Sequence, residues 1–191
     1  MSQLGYFSID LDTKQFCKEF LQLYNPEGEI FTHEFGVGYE SFQTTQWALD
    51  DVDPWRWYKK QKTSYQIREF NELNAQVGEL CDYWIRKWFK FLPRHICLNL
   101  VKQNVPVERH IDHPARSTVI VINPCKENFY GTTQHFNDGD RQLPYFPVCV
   151  LNTQIPHSTP PLDRQRPSIH LPYSMPIEEM LEIYTAGELL N

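Results

Sequence analysis

The chain lacks the features that mark several broad classes of protein. No apolar run approaches the roughly 20 residues needed to cross a bilayer. The start, Met1-Ser2-Gln3-Leu4-Gly5, has neither the basic nor the apolar region of a signal peptide. The expectation is a soluble, cytoplasmic protein with no membrane partner. Excess positive charge is also missing, since 18 Lys and Arg stand against 24 Asp and Glu, a net charge of −6. Phosphate recognition depends on clustered cations, so a nucleic-acid partner is disfavoured. The basic stretch Trp57-Tyr58-Lys59-Lys60-Gln61-Lys62 reads better as a solvated loop. No pair among the five cysteines (Cys17, Cys81, Cys97, Cys125, Cys149) has CxxC spacing, which argues against a zinc ribbon or a thioredoxin site. Cys149 lies in the apolar run Phe146–Leu151, as a buried, reduced thiol would. Repeats and low-complexity tracts are absent.

What is present fits one domain over 1–191, long enough for a sizeable core and rich in aromatic residues at 14%. Residues 1–94 read as a mostly helical front. Asp12 and Gln15 have capping-box spacing, and Phe16, Phe20, Leu21 and Tyr24 follow as an apolar face. A short strand is expected at Ile30–Phe35 and a long loop over 36–64. Apolar residues three and four apart, among them Ile67, Phe70, Leu73, Val77, Leu80, Trp84, Ile85 and Trp88, predict a helix from Tyr65 to Phe89. After Pro93 the period shortens to two. Strands are expected at His95–Gln103, Val107–Asp112, Ser117–Asn123, Phe129–Phe136, Phe146–Thr153 and Pro167–Pro172. Turn signals such as Asn137-Asp138-Gly139-Asp140 separate them. From Ser174 a C-terminal helix should run to about Leu190, with Pro176 in its first turn and with Leu181 and Tyr184 facing inward.

The β-rich part carries the chemistry. His110-Ile111-Asp112 is followed by His157 and then by Arg166-Pro167-Ser168. Two histidines and a carboxylate form the facial ligand set of non-haem ferrous iron, with coordination positions left open. On a strand, residues two apart face the same way, which would aim His110 and Asp112 together and put Arg166, Ser168 and His170 on one face.

This order of motifs resembles the 2-oxoglutarate- and Fe(II)-dependent oxygenase family, whose pattern is His-x-Asp, a variable gap, His, about ten residues, then Arg-x-Ser. The segment Asn152-Thr153-Gln154-Ile155-Pro156-His157 also matches the way the family often presents its second histidine. The resemblance covers residues 95–172. It implies an α+β double-stranded β-helix, a jelly-roll-like, cupin-type barrel with N-terminal helices packed on one sheet and a short C-terminal helix. It further implies Fe(II) held by His110, Asp112 and His157, with 2-oxoglutarate as cosubstrate on Arg166 and Ser168. The reaction it implies consumes O2 and 2-oxoglutarate, releases succinate and CO2, and hydroxylates a C–H bond of a small molecule, amino acid or protein side chain.

Several assignments stay open at this point. Arg164, two residues before Arg166, could take the cosubstrate role, although Ser168 favours Arg166. Arg116 could meet an anionic substrate group or form a structural ion pair. His170 could line the pocket beyond Ser168, and Asn99 could be a pocket polar group or a hydrogen-bonded core residue. His113 and His135 have weaker claims, and the aromatic cluster Trp55–Tyr58 is either a lid or ordinary packing. Two other classes remain beside the oxygenase: a cupin-like metal protein without 2-oxoglutarate, and a non-catalytic interaction module.

Overall fold

A computed structural model describes residues 3–23, 39–46, 76, 79–93, 95–101, 106–112, 114–125, 131–161, 163 and 166–191. In chain order the elements are β1 (Tyr6–Ser8), α1 (Lys14–Leu23), β2 (Tyr39–Gln46), α2 (79–88), β3 (His95–Val101) and β4 (Val107–His110). Then come β5 (Thr118–Ile122), β6 (Thr133–Phe136), β7 (Gly139–Gln142), β8 (Val148–Asn152), β9 (His157–Thr159), β10 (Arg166–Tyr173) and α3 (Ile177–Thr185).

The pairing of β3 to β10 is nested. The first of these eight strands pairs with the last, β3 with β10, and the second with the seventh, β4 with β9. The third pairs with the sixth, β5 with β8, and the two middle strands β6 and β7 form a hairpin, all antiparallel. Folding such a ribbon over itself gives two facing sheets, a six-stranded one ordered β1-β8-β5-β10-β3-β2 and a four-stranded one ordered β4-β9-β6-β7. This is the double-stranded β-helix, a jelly roll. β1 and β2 extend the larger sheet at its two ends.

Strands β5 and β8 are buried along their whole length, because the larger sheet is covered on both faces. Alternation divides their side chains. Ile120, Ile122, Val148, Val150, Ile169 and Leu171 join a core with Phe16 and Phe20 of α1, Trp84, Ile85 and Trp88 of α2, and Ile177 and Met180 of α3. Val119, Val121, Cys149 and Leu151 turn the other way and pack with Leu143 inside the barrel. The helices therefore back the sheet whose opposite face builds the interior. Among the described residues no helix is long and apolar enough to cross a membrane.

Several local expectations need correction. The segment 36–64 is not all loop, because β2 lies within it and pairs with β3. β1, β7 and β9 are further strands beyond the six expected. The capping box does not form: Asp12 Oδ1 accepts from the Lys14 N–H at 3.1 Å, while Gln15 Nε2 reaches forward to Glu19 Oε1 at 2.7 Å. Leu21 is half exposed rather than part of the buried face. α3 stops at Thr185 instead of running to Leu190. There Gly187 takes a φ of 73° and the Glu188 N–H bonds Ile183 O at 3.0 Å, a Schellman stop. Pro176 is the residue before that helix's first turn, and Ile177 and Met180 are its buried residues. Tyr184 does contribute, stacking on Phe7. The expected strand Ile30–Phe35, residues 65–75, 77 and 78 of the long helix, Tyr24, Trp55–Tyr58, His113 and Arg164 lie outside the described residues.

Candidate metal centre

β4 ends at His110 and β9 begins at His157, and the two residues are direct cross-strand partners. Their ring centroids lie 4.4 Å apart. Each ring is held in the same manner. His110 Nδ1 donates to Glu108 O at 2.7 Å, and His157 Nδ1 donates to Ile155 O at 3.0 Å. A carbonyl can only accept, so Nδ1 carries the hydrogen and Nε2 keeps its lone pair for a metal.

The strand stops before Asp112, so β alternation does not place that residue. Its position comes from the loop ahead of His157. The Asp112 N–H donates to Thr153 O at 3.2 Å, and Gln154 Nε2 donates to Asp112 O at 3.2 Å. Its carboxylate then sits between a histidine and an arginine, with Oδ1 3.5 Å from His110 Nε2 and Oδ2 3.5 Å from Arg116 Nε. One potential donor atom from each of His110, Asp112 and His157 falls within 4.8 Å of the others.

The protonation states suit metal ligation. Burial holds the His157 imidazole below its ordinary range. Burial pushes Asp112 upward, but the neighbouring His110 ring and the Arg116 charge outweigh it and leave the carboxyl below its usual value. The Asp112 carboxylate beside Nε2 raises His110 by favouring the protonated ring. A neutral imidazole and an ionised carboxylate are the forms a cation requires, and protons compete for His110.

These side chains open onto a cavity between the sheets with about 90 Å³ available to water centres, room for several waters at roughly 10–15 Å³ each. Val107, Val119, Val121, Leu143 and Leu151 supply apolar wall, and Arg166, Ser168 and His170 of β10 line it as well. Arg166 is buried, and desolvation lowers its guanidinium to about 10. Ser168 Oγ lies 3.1 Å from His170 Nε2. Burial, reinforced by Arg116, depresses His170 to about 3, so it is a neutral ring whose accessible edge faces the cavity.

The structure thus brings His110, Asp112, His157, Arg166, Ser168, Arg116 and His170 to one cavity. Asn99 is paired with Ser168 on β3, though its side chain is outside the described residues. His135 is elsewhere, bonded through Nδ1 to Asp140 at 2.8 Å and through Nε2 to Ser158 at 2.9 Å. Sequence reasoning missed Asn123, Thr132, Cys149, Thr153 and Thr159, which also line the cavity. Alternation in β8 would have found Cys149. The loop residues Asn123 and Thr132 carry no comparable signal.

No protein-family model and no curated protein matches this sequence. Among solved structures it is similar to a prolyl-4-hydroxylase from Pseudomonas putida, with 12% identity over 87% of this chain and 90% of that one, at a TM-score of 0.47. An oxidoreductase of the 2OG-Fe(II) oxygenase family from Burkholderia pseudomallei has 10% identity over 92% and 99% of the two chains, at 0.43. A prolyl hydroxylase from Trichoplax adhaerens, in complex with a hypoxia inducible factor peptide fragment, has 12% identity over 88% and 81%, at 0.45. At these values the fold assignment rests on this chain's own strand pairing, and the functional reading on its own side chains.

Proposed function

We propose that this protein is a dioxygenase dependent on Fe(II) and 2-oxoglutarate that hydroxylates a C–H bond of a small molecule, an amino acid or a protein side chain. One observation carries the reading. His110 and His157 are each locked by a backbone carbonyl into the tautomer that frees Nε2, and they stand beside an ionised Asp112 at a cavity that also holds Arg166. Two imidazoles and one carboxylate are the facial donor set of ferrous iron. With 2-oxoglutarate and O2, that ion would supply the oxidising power, and succinate and CO2 would be released.

The chain's own contributions are binding, orientation and exclusion of water. His110, Asp112 and His157 hold the ion from one side. Arg166 presents a planar fork to the distal carboxylate of the cosubstrate, a pairing that lysine cannot reproduce. Ser168 adds a hydroxyl beside it, and the apolar wall of Val119, Val121 and Leu151 shields both from bulk solvent. The donors are all hard or borderline nitrogen and oxygen atoms, as iron requires. The test is an anaerobic titration with Fe(II) and 2-oxoglutarate, monitored for the visible metal-to-ligand charge-transfer band. A band that is lost in His110→Ala and in Arg166→Ala supports the reading. Iron binding without a band points to a cupin-like metal protein, and a folded protein that binds neither ligand points to an interaction module.

A further inference from the structure

We infer that His135 is a positioning residue for the metal centre: it clamps both chain neighbours of His157 and so fixes where that ligand's ring stands. The inference rests on the metal-binding half of the reading above and adds to it a group that never meets the ion. The need for support is local. His157 opens β9, a strand of only three residues, which brings few ladder bonds. On the β4 side the pairing is irregular, since Val107 pairs with Thr159 and His110 with His157, three steps against two. The carbonyl that orients the ring, Ile155 O, lies just before the strand. A displaced backbone over 155–158 would carry the ring and its tautomer lock with it.

β6 supplies support from the other side. Gln134 is the cross-strand partner of His157, and the next residue, His135, holds both flanks. The His135 N–H donates to Pro156 O at 2.8 Å, and its ring Nε2 lies 2.9 Å from Ser158 Oγ. His157 and Thr159 line the cavity, so alternation turns Ser158 to the outer face of the sheet, where the His135 ring meets it. The ring is fixed in turn from a third strand. Asp140 on β7 is the cross-strand partner of His135, and its Oδ1 lies 2.8 Å from Nδ1. A carboxylate accepts, so Nδ1 bears the hydrogen and, in the neutral ring, Nε2 accepts from the Ser158 hydroxyl. Two hydrogen bonds thus run from β7 through β6 to β9 and end one residue from a metal ligand. Support of this kind behind a ligand is worth roughly 10–100-fold in metal affinity. Asp140, His135 and Ser158 also have the order of a nucleophile relay. Ser158 lies within a paired strand, however, and none of the three lines the cavity, so the geometry favours the clamp.

The experiment measures the Fe(II) affinity of the full chain by anaerobic titration, beside the urea midpoint of each metal-free protein. His135→Phe keeps a ring and the main-chain bond but loses both side-chain bonds, and Ser158→Ala removes the hydroxyl that meets the ring. Each should weaken Fe(II) binding about tenfold with unchanged far-ultraviolet dichroism. The double variant should be no weaker than either single one, because both delete the same bond. Ser158→Thr keeps the hydroxyl and suits a strand, and should bind Fe(II) as the wild type does. Unchanged Fe(II) affinity in either single variant overturns the inference, even if its urea midpoint falls, because the bond is then structural only. Losses that add in the double variant overturn it too. So does labelling of Ser158 by a fluorophosphonate that is abolished in His135→Phe, which would make the group a nucleophile relay. A wild type that binds Fe(II) but develops no band with 2-oxoglutarate removes the oxygenase reading and leaves the clamp standing. A wild type that binds no Fe(II) removes both.

Discussion

Replacing Arg166 by methionine should separate what the residue costs the fold from what it gives the site. The guanidinium is almost fully buried and its pKa is pushed down to about 10 by desolvation. Set against the ordinary 12.5, this corresponds to roughly 3 kcal/mol opposing the buried charge. Methionine fills a similar volume without that penalty, but it also takes away whatever the guanidinium contacts, so the change in stability does not by itself decide the role. The decisive quantity is therefore the ligand-induced gain in stability, measured for each protein against its own metal-free urea midpoint. Its ligand response should fall sharply. Two charge-assisted hydrogen bonds of about 1.5–3 kcal/mol each amount to roughly a hundredfold to ten-thousandfold in affinity. At a 2-oxoglutarate concentration of about 100 Kd, the metal-loaded wild type should gain about 2.7 kcal/mol against unfolding. The variant should gain less than about 0.5 kcal/mol under the same conditions, even at the smallest affinity loss. Arg166→Lys, with charge but no fork, should fall between them. A variant that is clearly destabilised yet keeps the full 2-oxoglutarate gain would refute the reasoning, because Arg166 would then be a structural cation.

Three other outcomes follow from the same structure. Asp112→Asn should weaken Fe(II) binding by at least about a hundredfold, comparable to or beyond losses seen for residues that merely support a ligand, with unchanged far-ultraviolet dichroism; normal iron affinity would remove Asp112 from the ligand set. The neutral His170 makes the metal-free fold acid-sensitive, because its folded pKa of about 3 lies below the unfolded value of 6.5. Its stabilising effect is complete above pH 6.5 and is lost as pH falls toward 3, by roughly 2 kcal/mol at pH 5; urea midpoints of His170→Gln should fall less steeply with acidification than those of the wild type. Gly187→Ala should cost about 1 kcal/mol through its φ of 73°, since a Cβ there meets nothing within 4 Å, and iron binding should not change.

The sequence carried the site better than the scaffold that holds it. His110, Asp112, His157, Arg166 and Ser168 were readable as a motif because the chemistry fixes their types and order. His170 was readable from its period-two relation to Ser168 on what proved to be a true strand. Asp112 reached the site by another route: the strand that was meant to aim it ends two residues early, and a hydrogen bond to the Thr153 carbonyl and one from the Gln154 amide replace it. Such a tertiary tether has no local signature. β7 and β9 were missed for a related reason. β7 is fully exposed and reads Gly-Asp-Arg-Gln, so no apolar alternation announces it. β9 is only three residues long, His-Ser-Thr, too short and too polar for an apolar alternation to mark it. The end of α3 was legible in principle, since Gly187 is a stop signal, but Leu189 and Leu190 continued the apolar pattern past it. Both belong to the helical core from outside the helix.

Nested pairing also bears on the order in which this molecule should be assembled. The β6–β7 hairpin is local and closes over a short loop, whereas β4 must find β9 across almost fifty residues and β3 must find β10 across a longer stretch still. Pairings of such sequence separation make folding slow, because loop entropy is spent before contacts return it. By sequence separation His110 and His157 should meet after the inner layers have closed, so the face that carries the candidate ligands should be among the last parts to form. An ion held there would act as a clasp on the outer layers. Its main effect would be on the rate at which the fold opens, and depletion of metal would shorten the lifetime of the folded chain before it changed the chain's shape.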